Sequence, residues 1–100
     1  MKDLIKKYLN RLTIANLRNY ARKNNIYVSE PELIIIYNFI MKYQDDLLNK
    51  NDQVLEILKD KINNPLYLYL SDLYQKNKDK LDWFFWFVFF IINKIWKHNT

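Results

Sequence analysis

Apolar residues are concentrated most heavily at residues 83–92, which read Trp-Phe-Phe-Trp-Phe-Val-Phe-Phe-Ile-Ile. A bare patch of that size is rarely left in water, so this stretch belongs in a core or meets a membrane or another protein. Upstream the apolar positions recur with helical spacing. Leu4, Ile5, Tyr8 and Leu9 form one stripe over residues 3–10. A second helix starts at Thr13, whose hydroxyl suits an N-cap, and turns Ile14, Leu17 and Ala21 to the core with Tyr20 beside them. Asn24 and Asn25 end it, because asparagine tolerates the left-handed cap conformation. Ile26-Tyr27-Val28 is a short extended connector. Ser29-Glu30-Pro31-Glu32 then combines a serine cap, an early proline and a glutamate at the capping-box position. The third helix begins there and is apolar nearly all the way round from Leu33 to Met41, which makes it the expected centre of a bundle.

Residues 44–51 read as a connection. Asp45 and Glu56 frame a loop of calcium-binding length, but Leu47 and Lys50 occupy positions where that loop needs an oxygen ligand and a glycine. Val54, Leu55, Leu58 and Ile62 predict an amphipathic helix over residues 52–63. Asn64-Pro65 caps a fifth helix, with Leu66, Tyr69, Leu70, Leu73 and Tyr74 as its buried side. The polar run at residues 76–80 is either a surface turn or the exposed part of a longer helix.

Composition narrows the class. The 100 residues include no glycine and only 2 prolines, which leaves little to build hairpin turns, so the chain is expected to be all-α. The expected architecture is a compact bundle of five or six helices, with residues 1–80 as the bundle domain. Residues 81–100 form an aromatic C-terminal helix, packed on the bundle or used as an association surface. Cysteine is absent and no apolar segment follows the first charges, so the expected location is cytoplasmic, with membrane association as a variant. The net charge of +5 resides in residues 1–43, which favours an anionic partner there.

Leu12-Thr13, Leu17, Tyr20-Ala21, Asn25-Ile26, Val28-Ser29 and Ile57-Leu58-Lys59-Asp60 carry a resemblance, over roughly residues 5–80, to a small family of low-GC Gram-positive bacterial proteins defined only as a domain of unknown function. These are cap and core positions, so the likeness implies a fold rather than a site, and the aromatic C-terminus is outside its pattern. Residues 12–43 are also similar to helix-extended-helix modules of the SAP type, several of which bind DNA. That resemblance implies that the first helix and the connector approach a phosphate backbone, with Arg18, Arg22 and Lys23 placed for it.

The inventory disfavours catalysis. The single histidine is His98, near the chain's end, and no glycine is present to shape a phosphate loop. No cofactor, metal or small-molecule substrate is inferred. Arg11, Arg18, Arg22 and Lys23 are the candidate nucleic-acid contacts, with the three arginines expected on the face of the second helix opposite the core. Trp83, Phe84, Phe85, Trp86, Phe87, Phe89, Phe90 and Trp96 are the candidate association surface. Residues 81–96 would span about 24 Å as a helix against a hydrocarbon core of about 30 Å, so a full membrane span is marginal. Asp82, Trp86, Asn93 and Lys97 leave only a narrow polar seam, which suits a core, a groove or the membrane interface. The leading expectation is a non-catalytic interaction or assembly module, binding a protein partner or itself through the aromatic helix. The alternatives are a nucleic-acid-binding module using the basic half and a peripheral membrane protein anchored by its C-terminus.

Overall fold

The computed structural model describes residues 2–77, and the aromatic segment expected to form the C-terminal helix lies outside them. Five α-helices are found among the described residues: α1 (Lys2–Leu9), α2 (Ile14–Lys23), α3 (Glu30–Lys42), α4 (Gln44–Leu48) and α5 (Asn64–Asn77), with a 3-10 helix (Asp52–Leu58) before α5. No strand occurs among them, and the all-α expectation holds. α2 packs on α3, α3 on α4, and the 3-10 helix on both α4 and α5. Leu12, Leu17, Leu33, Ile36, Phe39, Leu47, Leu55, Leu58, Ile62, Leu66 and Tyr74 meet in one buried cluster.

The caps explain where the helices start and stop. Thr13 Oγ1 accepts the Asn16 N–H at 3.1 Å, and Asn16 Oδ1 accepts the Thr13 N–H at 2.8 Å. Asn16 thus fills the place usually taken by Glu or Gln in a capping box, which is how a polar residue there can be buried without loss. α2 ends in a Schellman turn: the Ile26 N–H donates to the Ala21 carbonyl at 2.8 Å, the Asn25 N–H donates to that of Arg22 at 3.3 Å, and Asn25 takes φ 55°. α4 ends in the same way, except that the left-handed residue is Lys50, with φ 64°.

Three features differ from expectation. Residues 44–48 form a helix rather than a plain connection, burying Leu47 and Leu48, with Asp45 and Asp46 in the first turn where the helix dipole favours acids. The segment after Asn51 winds as a 3-10 helix rather than the expected α-helix over residues 52–63. Leu55, Leu58 and Ile62 are still buried, since residues three apart stack on a 3-10 helix and turn hydrogen bonds from Lys61 and Ile62 to the Leu58 carbonyl carry the chain onward. The fifth helix is capped by Asn63, not Asn64: Asn63 Oδ1 accepts the Leu66 N–H at 2.8 Å.

One carboxylate explains the last difference. Glu32 Oε1 accepts from the Ser29 N–H at 3.0 Å and the Ser29 hydroxyl at 2.9 Å, completing the capping box of α3. Its Oε2 accepts from the Asn63 backbone N–H at 2.6 Å and the Asn63 side-chain amide at 3.0 Å. With its backbone N–H donated to Glu32, Asn63 leaves the preceding helical path and starts α5 instead. α5 is held further along by the Tyr74 hydroxyl, which donates to the Leu47 carbonyl at 2.6 Å, and by Gln75 Nε2, which donates to Asp52 at 3.0 Å.

Two stability outcomes are expected. Lys50→Gly, which removes a Cβ from a left-handed position, should stabilise the protein by about 1 kcal/mol, read as a higher urea midpoint at unchanged slope. Glu32→Gln turns an amide N–H toward donors and should cost about 2 kcal/mol. Burial raises the Glu32 carboxyl, but the hydrogen bonds from Ser29 and Asn63 outweigh it and hold the group below its ordinary 4.5. Its contribution is therefore complete above that value and lost as pH falls through the lower folded value. Urea midpoints measured on the acid side should fall less steeply in Glu32→Gln than in the parent.

Candidate functional site

α2 carries Arg18, Arg22 and Lys23 and no acidic residue. Arg18 and Arg22 are one turn apart, so they share a face as expected. Arg11 does not join them by helical spacing, because it lies in the turn before Thr13, ahead of the first residue of α2. Arg18 is held from across the connector: its Nε donates to Glu30 Oε2 at 3.0 Å and its Nη2 to Oε1 at 2.5 Å, a two-pronged pair between α2 and the start of α3. The bond and charge of Glu30 push the Arg18 guanidinium further up, and the Arg18 bond holds the Glu30 carboxyl below its ordinary value, with the charge of Arg22 adding to it. Arg11, Arg22 and Lys23 are exposed. Arg18 is thus committed to a partner within the chain.

The connector between α2 and α3 is extended and anchored on both sides of one residue. Ile26 and Val28 pack against the core, whereas Tyr27 between them is 82% exposed. Alternation along extended chain dictates this: with 26 and 28 turned inward, 27 has to point out. The apolar character of Ile26-Tyr27-Val28 does not reveal by itself which member is excluded.

α5 presents a different surface. Leu66 and Tyr74 are buried, and Tyr67 and Leu70 pack on the core, but Leu68 is 56% and Tyr69 38% exposed. The expectation that Tyr69 belongs to the buried side is corrected. The helix turns Tyr67 inward instead. Burial, and after it the neighbouring Tyr69, push the Tyr20 phenol above its ordinary 10.0.

Between α3 and the 3-10 helix lies an open groove of about 230 Å³, with Ile35, Phe39, Ile57 and Leu58 in its lining and Asn38, Lys42, Tyr43 and Lys61 around them. That is below the roughly 300 Å³ at which small-molecule sites begin. The Lys42 ammonium lies 5.5 Å from the centre of the Tyr43 ring, which stacks obliquely on Phe39 at 5.2 Å. Among the described residues, no group of three His, Cys, Asp or Glu side chains could hold a metal ion, and no helix is long and apolar enough to cross a membrane. The candidate association residues Trp83, Phe84, Phe85, Trp86, Phe87, Phe89, Phe90 and Trp96 lie outside the described residues.

No family model, no curated protein and no solved structure matches this chain. Function therefore has to be read from its own side chains.

Proposed function

We propose that this chain is a non-catalytic association module, binding itself or another protein through a surface that combines the outer face of α5 with the aromatic residues between Trp83 and Trp96. The observation that carries this reading is the outward face of α5, the last described helix. Its inner face joins the core through Leu66 and Tyr74 while Leu68 is more than half exposed and Tyr69 partly so. Two exposed apolar side chains alone would be ordinary on any protein surface. They gain weight from the segment downstream, since residues 83–92 add ten consecutive apolar residues six positions after α5 ends at Asn77. Such a segment has the composition of an interface core, rich in Trp and Phe. The central place expected for α3 is supported by its burial of Leu33, Ile36 and Phe39, although Ile34 is 48% exposed.

The test uses the full chain, with light scattering and vesicle flotation on the same preparation. The parent is expected to be an oligomer that does not float. Leu68→Lys should lower its average mass at equal concentration, and Trp86→Glu with Phe89→Glu should reduce it to a monomer of native helicity. A parent that floats with vesicles and is monomeric without them would move the aromatic residues to the peripheral-membrane alternative. A monomer that does neither would remove self-association and leave only the binding of another protein.

A further inference from the structure

We propose that the groove between α3 and the 3-10 helix is the seat for the start of the aromatic segment of a second copy, with Asp82 set against Lys42 and Lys61 and the adjoining Trp83 on the apolar floor. The assignment rests on the association reading above and supplies the receiving surface that reading lacks.

The groove has the form of such a seat. Phe39 and Leu58 are buried in its lining while Ile35 and Ile57 are half-buried, so the floor is apolar and still partly open. Lys42 and Lys61, both exposed, come to it from the end of α3 and from the turn after the 3-10 helix, and no acidic side chain is among its lining residues. Aromatic contact places one of these cations: the Lys42 ammonium lies 5.5 Å from the centre of the Tyr43 ring, which stacks on the floor residue Phe39 at 5.2 Å. Two cations beside an apolar floor suit an occupant that joins a carboxylate directly to a bulky apolar side chain.

The chain itself supplies an occupant of that kind. Over residues 81–93 Asp82 is the only charged residue, and it stands at the head of the apolar run that begins with Trp83. Lys78 and Lys80 lie upstream and belong outside the seat. Lysine stems often cover apolar surface while their heads stay in water, so the two lysines alone would argue nothing. The lone acid changes that, because an apolar segment meets many apolar surfaces equally well, whereas its one carboxylate selects the surface flanked by cations and fixes the register. The path of the chain favours a second copy over the same one. Gln75, near the end of α5, bonds Asp52 at the first residue of the 3-10 helix, whereas the groove is lined by the last two residues of that helix, about 12 Å further on. The chain thus leaves α5 at the end remote from its own groove. Each copy carries one groove and one segment, so two copies can exchange segments reciprocally and close as a dimer.

The experiment is light scattering of the full chain over a concentration series. One variant carries Lys42→Glu with Lys61→Glu, the other Asp82→Lys. Each sets like charges face to face and should raise the concentration of half-association about tenfold. An equimolar mixture of the two variants should recover the parent's mass, since every groove then meets a segment of opposite charge on the other chain. Lys42 and Lys61 are exposed, so circular dichroism should be unchanged by their substitution, and recovery on mixing independently shows both variants to be folded. A parent that stays monomeric at every concentration would overturn the seat together with self-association. If the parent associates and the lysine variant associates equally well, the seat alone is overturned and self-association stands. Variants that are weakened but do not recover on mixing would exclude exchange between copies, the result expected of a groove that holds its own chain's segment.

Discussion

The side chain that the described architecture leans on most is Glu32. Its two oxygens accept four hydrogen bonds, two from Ser29 at the start of α3 and two from Asn63 at the start of α5. Each helix start has donors that the helix itself cannot satisfy, and a single anion placed between two such starts serves both. The connection is between residues 31 positions apart, so it fixes where α5 leaves the preceding segment and in which direction. The core then follows: Leu66 reaches the cluster because Asn63 is pinned, and Tyr74 reaches the Leu47 carbonyl because α5 is laid along that line. Among the described residues, no buried side-chain nitrogen or oxygen is left without a partner.

What the chain shows in its letters and what it conceals divide along this same interaction. The capping box at Ser29 is legible because its partners are three residues apart, and the Asn25 cap is legible because asparagine is one of the few residues that accepts a left-handed backbone without glycine. The second pair of bonds from Glu32 is not legible, since nothing local to Asn63 announces an acceptor 31 residues upstream. The choice of Asn64 as cap fails for that reason. The apolar positions hold nonetheless: Leu55, Leu58 and Ile62 are buried under either kind of helix, because a spacing of three or four places them on one side in both.

Facing is harder to read than periodicity when apolar residues are plentiful. On α5 the sequence Leu66-Tyr67-Leu68-Tyr69-Leu70 offers five candidates, and a helix can bury only part of them. The bundle takes Leu66 fully and Tyr67 and Leu70 in part, leaving Leu68 and Tyr69 outside. α3 shows the same limit, with Ile34 open between the buried Leu33 and Ile36. Rich apolar content thus marks the right elements while leaving open which residues a partner could touch.

Charge behaves in the opposite way, because composition overstates it. Residues 1–43 hold the whole net excess of +5, and a count along the sequence places Arg11, Arg18, Arg22 and Lys23 in one patch. Glu30, twelve residues from Arg18 and on another helix, takes that arginine into a two-pronged pair. Arg11 lies outside the helix on which the other three are spaced. Arg22 and Lys23 are exposed in the last turn of α2. Counting charge along the sequence overstates what α2 presents, because the partner of a cation can lie on another helix.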